Sequence, residues 1–185
     1  MQMFTSIFSA TPRVISNLAL GAALSLSAMN ASADPAPFGL EIGKATIAEM
    51  KSKYRAELTG TNKYSHGEMF NLPTAQLGFD GLKEATVIFD KNEVVSAILL
   101  SFPKHRFDSL HGSLKGKYRV TQSQIPFVGN KKVVLKDGQT EITLNAPHLS
   151  FEMSLNYISD DLLRAFNQSQ AQEAQQKRQS ENSKL

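Results

Sequence analysis

The chain has 185 residues, of which 41% are hydrophobic and 20% are charged, and its formal net charge is +3. These values are ordinary for a globular protein, and the small positive surplus excludes the strongly basic face that nucleic-acid-binding proteins use. The sequence contains no cysteine, which excludes disulfides, cysteine-based metal sites and a lipid attached to a thiol.

The first 33 residues have the pattern of a cleavable secretory signal peptide. Arg13 is the single charged side chain of this region, and the apolar stretch over 14–26 is shorter than the roughly 20 residues of a membrane span. Ala31-Ser32-Ala33 then offers small side chains at the first and third positions before a cut. We therefore predict cleavage between Ala33 and Asp34, with the mature chain in the periplasm or secreted. An uncleaved membrane anchor is the alternative.

The mature chain opens with a predicted strand and a predicted helix. Residues 38–42 alternate between apolar and other side chains, which predicts a short strand. Thr46-Ile47-Ala48-Glu49 is a capping box, in which the Thr hydroxyl accepts from a free backbone amide and the Glu reaches back. Met50 and Tyr54 continue the helical spacing of Ile47, so we predict a helix over 46–57.

The period then changes to two, as in β-strands. Strands are predicted near 63–71, 76–79, 84–90 and 93–102. The last two are rich in β-branched residues, and Asp90-Lys91-Asn92 between them is a turn sequence. We predict that this hairpin lies at the centre of the sheet.

A second helix is predicted over 105–117, because Phe107, Leu110, Leu114 and Tyr118 recur at helical spacing after Pro103. Gly112 and Gly116 are unfavourable inside a helix, and we interpret them as a place where a neighbouring strand approaches closely. Further strands are predicted near 118–123, 131–136, 140–145 and 149–157. In the last of these, alternation places Phe151, Met153, Leu155 and Tyr157 on one side and Glu152, Ser154 and Asn156 on the other. We therefore predict a half-exposed strand and an open polar sheet face that serves as the interaction surface.

Ser159-Asp160-Asp161 is predicted to cap a last helix, with Leu162, Leu163 and Phe166 available to dock it. Residues 168–185 are polar and lack a wide apolar face, which predicts a frayed helix or a disordered tail.

The predicted organisation is a signal peptide over 1–33, a single domain over 34–167 and the tail over 168–185. The predicted fold class is α+β, an antiparallel sheet with two or three helices on one face.

One short sequence occurs twice. Lys51-Ser52-Lys53-Tyr54-Arg55 recurs as Lys115-Gly116-Lys117-Tyr118-Arg119, and each copy ends a predicted helix that is followed by several strands. This order is that of a tandem helix-plus-meander duplication. The alternative is that the sequence is a good way to end any helix on a sheet, because lysines favour the helix C-terminus and a Tyr buries its ring while its hydroxyl stays in water.

The opening of the mature chain supports a resemblance. A short strand, Gly43, a helix that begins Thr46-Ile47-Ala48-Glu49 and then a hairpin are similar to small exported bacterial proteins built from helix-plus-meander units. These are the small outer-membrane assembly lipoproteins and the tandem fold of the β-lactamase inhibitor protein. Their anchoring and disulfide cysteines are absent here. The resemblance implies a fold of this kind and a role in binding protein, and it transfers no site residue.

Candidate chemistry is sparse. The four histidines are His66, His105, His111 and His148. His105 and His111 fall on different faces of a helix, and His66 with Glu68 lacks a third ligand, so we predict structural or surface histidines. Asp160 and Asp161 are interpreted as helix-capping acids, no serine lies in a nucleophile elbow, and no glycine-rich phosphate loop is present. We therefore assign no catalytic, cofactor-binding or metal residue and predict no cofactor.

Basic residues offer one further candidate. Lys131-Lys132 and the lysines of the repeated sequence are candidates for a basic patch that binds anionic lipid, glycan or an acidic protein. We prefer the interpretation that these side chains form a solvated face.

The sequence as a whole predicts a soluble exported binding protein of the cell envelope, such as an assembly factor, an inhibitor or an immunity-type protein, with no chemistry of its own. The expected partner is another envelope or exported protein, with no nucleic acid and no transmembrane span in the mature chain. Two alternatives stay open. A hydrolase of cell-wall or lipid substrates would need a deep pocket where His66 or His105 meets a carboxylate or serine, and a lipid or small-ligand carrier would need a dry apolar cavity.

Overall fold

The computed structural model describes residues 34–184, so the predicted signal peptide and its cleavage site after Ala33 lie outside the described residues. Within this part the helices are α1 (Ile47–Lys53), α2 (Thr74–Leu77), α3 (Phe107–Lys117) and α4 (Asp160–Asn182). The strands are β1 (Glu57–Thr61), β2 (His66–Asn71), β3 (Glu84–Asp90), β4 (Val95–Pro103), β5 (Arg119–Gln124), β6 (Lys131–Asp137), β7 (Thr140–Ala146) and β8 (Glu152–Ser159).

The strands form one antiparallel sheet in the order β1-β2-β3-β4-β8-β7-β6-β5. Each half is a meander, and the halves join where β4 pairs with β8, from Ala97 opposite Ile158 to Pro103 opposite Glu152. The register shifts within both outer strands, between Leu58 and Gly60 in β1 and between Val120 and Gln122 in β5. The predicted α+β class with an antiparallel sheet is confirmed.

The sheet is built from two units that each begin with a helix and continue with four strands, α1 with β1–β4 and α3 with β5–β8, and the short α2 lies between β2 and β3 of the first unit. The repeated sequence occupies the same place in both units. Tyr54 and Tyr118 follow the last helical residue in extended conformation, with φ of −133° and −126°, and their backbone N–H groups donate to the carbonyls of Met50 and Leu114. Helix α2 has no counterpart in the second unit, and the duplication of the sequence stays a prediction.

The main core lies between one face of the sheet and helices α1 and α3. The capping box begins α1 as predicted, with the Thr46 hydroxyl accepting from the amide of Glu49 at 3.2 Å. The alternating apolar residues of the strands and the apolar stripes of the two helices form a single buried cluster. Its members include Leu40, Met50, Phe70, Phe89, Ile98, Phe102, Phe107, Leu110, Leu114, Val133, Leu135, Ile142, Leu144, Met153 and Leu155.

Helix α4 docks on the opposite face of the sheet. Ser159 caps it as predicted, accepting from the amide of Leu162 at 3.3 Å. Leu162 is buried against Ile88 and Ala97, and the rings of Tyr64 and Phe166 meet edge to face at 5.0 Å. From residue 170 onward every described side chain is exposed, although the chain stays helical to Asn182. The predicted tail is therefore a solvated continuation of α4.

Several predicted elements differ from the structure. Residues 37–39 form a 3₁₀ turn instead of a strand, because Phe38 has a φ of 56°. Residues 74–77 form the short helix α2 instead of a strand, and Gly78 ends it in the left-handed region. Strand β1 was not predicted, and β2 begins only at His66, because the Asn62 side chain accepts from the amides of Tyr64 and Ser65 and makes a turn.

The glycines of α3 do not mark a close approach. A Cβ at Gly112 or Gly116 would meet no atom within 4 Å, so the expected contact with a strand is wrong. The close approach is at Gly67 in β2, where a Cβ would lie 2.2 Å from the carbonyl oxygen of Phe89 and 2.4 Å from that of Asp90. The backbone of β3 therefore excludes any side chain at position 67.

This contrast gives a matched pair of substitutions. We expect Gly67→Ala to lower the free energy of unfolding by roughly 2–4 kcal/mol, because the new methyl group meets backbone atoms that cannot move aside. Gly112→Ala, in open space on a helix, is expected to raise it by about 1 kcal/mol. Urea unfolding of both variants tests this, and equal effects would contradict the assignment of the close approach to Gly67.

A second prediction concerns alkaline pH. Burial, with a smaller contribution from neighbouring Tyr118, raises the pKa of Tyr157 above its ordinary value. The folded state therefore holds the Tyr157 proton more tightly than the unfolded state, and the associated stability is complete below about pH 10 and is lost as the pH rises further. We expect the free energy of unfolding to fall less steeply above pH 10 in Tyr157→Phe than in the unchanged protein, measured by urea unfolding from pH 8 to 11.

Candidate interaction surfaces

The four histidines lie apart from one another. His66 begins β2 with a φ of 58°, His105 lies in the turn before α3, His111 is on α3 with its ring 5.9 Å from that of Phe107, and His148 lies between β7 and β8. Within residues 34–184, no hydrogen bond or ion pair joins a histidine side chain to a carboxylate. The same residues contain no group of three or more potential ligands placed to hold a metal ion.

A cavity of about 480 Å³ contains the histidine that the hydrolase alternative would need. His66, Asp90 and Asp161 line this cavity together with Ser65 and Ser159. His66 and Asp90 are cross-strand neighbours, but the Ser65 hydroxyl donates to the carbonyl of Phe89 and not to His66. The cavity therefore gathers candidate residues, and within residues 34–184 no hydrogen bond links the His66 side chain to a serine or a carboxylate there.

A second cavity of about 240 Å³ lies under α4 and is the apolar space that a carrier would need. Tyr64, Leu99, Leu163 and Phe166 are among its lining residues. Its volume is smaller than the roughly 300–1,000 Å³ of typical small-molecule sites. Beside it, the Lys63 ammonium pairs with the Glu173 carboxylate at 3.4 Å. Hydrogen bonds with Tyr64, which contribute most, and with Glu173 raise the pKa of Lys63.

The sheet face opposite α1 and α3 is arranged in rows of aligned residues, one row apolar and two polar. The apolar row lies beside α4 and contains Met69, Ile88, Ala97 and Ile158, and beyond Ile158 it continues through the charged residues Glu141, Lys136 and Arg119. The next row contributes one residue from each strand: Glu57, Asn71, Thr86, Leu99, Asn156, Thr143, Val134 and Gln122. The third row contains Glu84, Ser101, Ser154, Asn145, Lys132 and Gln124.

We call the two polar rows the open face. Eight strands at about 4.8 Å spacing give this face a width of roughly 34 Å. Most of its central side chains are short and uncharged. The side chains of Asn145, Ser154 and Asn156 are half-buried and have no hydrogen-bond partner within the described part of the chain.

An apolar surface lies at one end of the sheet, where two neighbouring loops connect β5 to β6 and β7 to β8. The first loop exposes Phe127 and Val128, whose side chains are 104% and 67% exposed. The second exposes Leu149 and Phe151, at 91% and 93%. We call these four residues the apolar tip. The two loops are joined by a hydrogen bond, and exposed apolar groups gathered at one place mark interaction sites more often than scattered ones.

Polar contacts hold the two loops together. The Asn130 side-chain oxygen accepts from the His148 amide at 2.7 Å, which links one loop to the other. The Lys104 ammonium donates to the carbonyls of Pro147 and His148 at 2.5 and 2.8 Å, and the Lys104 amide donates to the carbonyl of Phe151 at 2.8 Å. The apolar side chains therefore project from a braced backbone.

Basic residues flank the apolar tip. Lys131 lies 5.0 Å from the centre of the Phe107 ring and 3.8 Å from Asp108, and Lys132 is exposed beside it. At the start of β8, directly after Phe151, Glu152 pairs with Lys83 at 2.5 Å, and this hydrogen bond lowers the pKa of the Glu152 carboxyl.

The sequence analysis missed the apolar tip. It predicted a strand over 149–157, in which Phe151 continues the alternation of Met153 and Leu155, but β8 begins at Glu152. A signal was present, because Phe127 and Val128 lie between Pro126 and Gly129, and apolar residues enclosed by Pro and Gly are typical of an exposed loop.

Comparisons with known proteins identify no family for this chain. No protein-family model and no curated protein matches the chain. Among solved structures, the chain is similar to the crystal structure of a DUF4309 family protein, YjgB, from Bacillus subtilis, with 13% identity over 65% of this chain and 82% of that one. The TM-score is 0.36, too low for an argument about fold or function. The resemblance to assembly lipoproteins and to the β-lactamase inhibitor protein stays a prediction.

A membrane-spanning helix is not found among residues 34–184, since none of their helices combines the necessary length and apolar character.

The brace between the loops can be tested directly. We expect Asn130→Ala to speed hydrogen exchange of the His148 amide roughly tenfold, because that amide loses its acceptor. Asn145→Ala, which removes a side chain without a partner, serves as the control and should leave exchange unchanged. NMR-detected hydrogen exchange measures both, and unaltered protection in Asn130→Ala would contradict the bracing role.

Proposed function

We propose that the chain is an exported binding protein of the cell envelope, without chemistry of its own, that binds another exported or envelope protein through the open face. Export rests on the predicted signal peptide over residues 1–33. The observation that carries the proposal is the group of unpaired polar side chains at the centre of an uncovered sheet face, namely Asn145, Ser154 and Asn156.

Short polar side chains suit a binding surface. Protein interfaces form about one hydrogen bond per 100–200 Å², and they need donors and acceptors that are not already satisfied within the protein. Ser, Thr and Asn lose less rotamer freedom on binding than Lys or Glu, so a partner orders them at little entropic cost. The longer side chains Glu57 and Gln122 lie at the two margins of the central row.

The support beneath the open face is rigid. The strand residues that alternate with it, such as Leu144 and Leu155 beside Asn145 and Asn156, are buried in the core under α1 and α3. A partner therefore meets a preformed surface, and little free energy is lost to ordering the backbone.

Two arginine substitutions test the proposal. We expect Asn156→Arg, which places a long charged side chain at the centre of the open face, to reduce capture of the partner at least tenfold, because an unpaired charge inside an interface is costly. Ala48→Arg adds the same side chain to an exposed position of α1, on the other side of the sheet, and should leave capture unchanged.

The measurement is crosslinking of the purified exported protein in envelope extract, followed by quantitative recovery of the partner. Asn145→Arg repeats the test if Asn156→Arg does not fold. If one protein is recovered in equal amounts with all variants, the open face is not the binding surface. If no partner is recovered while the purified protein cleaves cell-wall or lipid substrate, the hydrolase alternative replaces the proposal.

A further inference from the structure

The apolar tip points to a second interaction, with a lipid surface. We infer that Phe127, Val128, Leu149 and Phe151 insert into the headgroup region of a membrane that contains anionic phospholipid, while flanking lysines contact its phosphates. This interaction goes beyond the proposed function, because its four apolar anchors lie at the end of the sheet, outside the open face; Lys132, at the margin of the open face, is the one residue that the two surfaces share.

The exposure of the apolar tip is the first argument. Phe127, Leu149 and Phe151 are each more than 90% exposed, so their side chains project beyond the rest of the protein and make little contact with it. Removing such groups from water is favourable in proportion to their area, and aromatic side chains offer the largest area. Monomeric proteins rarely leave clustered groups of this size in water without use.

Charge is the second argument, and it indicates the kind of membrane. The segments 103–106, 125–132 and 147–151, which lie at this end of the sheet, contain no Asp or Glu, and Glu152, which follows Phe151, is paired with Lys83. Arg106 and Lys131 pair with Asp80 and Asp108, whereas Lys104 and Lys132 have no carboxylate partner in the described part of the chain. Anionic lipid headgroups attract lysines in this position.

The shape of the tip favours lipid over a protein partner. A side chain that stands free in solvent gains from a protein only where the partner offers a matching pocket, as at the anchors of protein interfaces. A fluid headgroup layer adapts to the side chains and needs no matching shape. The long Lys132 side chain can also bury its methylene groups while its ammonium reaches the phosphates.

The braced backbone makes insertion efficient. The contacts of Asn130 with His148 and of Lys104 with the 147–151 loop hold both loops in place before binding. Little conformational freedom is therefore lost when the tip enters the membrane. With the tip inserted, the strands point towards the membrane and the open face stays in solvent.

Tryptophan substitution tests the insertion directly. The chain contains no tryptophan, so Phe127→Trp or Phe151→Trp gives a fluorescence signal from that position alone. With vesicles of equal parts phosphatidylglycerol and phosphatidylcholine, we expect a blue shift of the emission and quenching by brominated acyl chains. Lys91→Trp, in the exposed turn between β3 and β4 at the opposite end of the sheet, is the control and should show neither change.

Vesicle co-sedimentation separates the apolar and charged contributions. We expect the double variant Phe127→Ser with Phe151→Ser to bind mixed vesicles at least tenfold more weakly. Lys132→Glu should weaken binding to the same vesicles roughly tenfold but leave any binding to pure phosphatidylcholine unchanged. Lys115→Glu makes the same charge change on the exposed side of α3 and should have a smaller effect.

Three outcomes would overturn the inference. The first is that the unchanged protein does not bind mixed vesicles. The second is that the double serine variant binds them as tightly as the unchanged protein. The third is that the unchanged protein does not bind vesicles but captures a partner protein that the double serine variant no longer captures. The last outcome assigns the tip to a protein partner. Asn156→Arg should bind vesicles normally, so failure at the tip and failure at the open face are measured independently.

Discussion

The structure depends on the pairing of β4 with β8. Each half of the chain is a meander with a helix on one face, and each would end in an unpaired strand rich in buried apolar residues. Antiparallel pairing from Ala97 to Pro103 along Glu152 to Ile158 satisfies the backbone of both strands. It also aligns Ile98 with Tyr157 and Phe102 with Met153 on the same side, so one core runs under both halves.

Continuity of the sheet gives its two faces different roles. Because side chains alternate along every strand, residues under α1 and α3 are apolar while their neighbours in sequence face the other way. On that second face only the row containing Ile88 and Ala97 is apolar, and α4 docks beside it. The polar rows need no cover, which leaves a broad surface whose shape is fixed by the core behind it.

Local sequence predicted the elements that have strong local causes. The turn between β3 and β4 is an example, because Asp90 accepts from the amides of Asn92 at 2.8 Å and Val94 at 2.9 Å. The α+β class with an antiparallel sheet also followed from periodicity. Strand β1 did not, because its residues are mostly exposed and lack an apolar alternation.

The candidate surfaces were harder to predict, for two reasons. Periodicity does not say where a strand ends, so Phe151 was assigned to the same pattern as Met153 although one is exposed and the other buried. The open face was predicted as one side of the strand over 149–157, with Ser154 and Asn156 on it. Its extent depends on register across eight strands, and a single sequence does not contain register between distant segments, so Asn145 was not placed beside them.

The irregular outer strands have a consequence for how the protein behaves at high concentration. An open sheet presents unpaired backbone groups along β1 and β5, where a second molecule could add its own strand. The register shift in each of these strands bends the backbone and breaks the straight ladder that such an addition requires. Both margins are thus protected against fibre-like growth without a covering helix or a closed barrel.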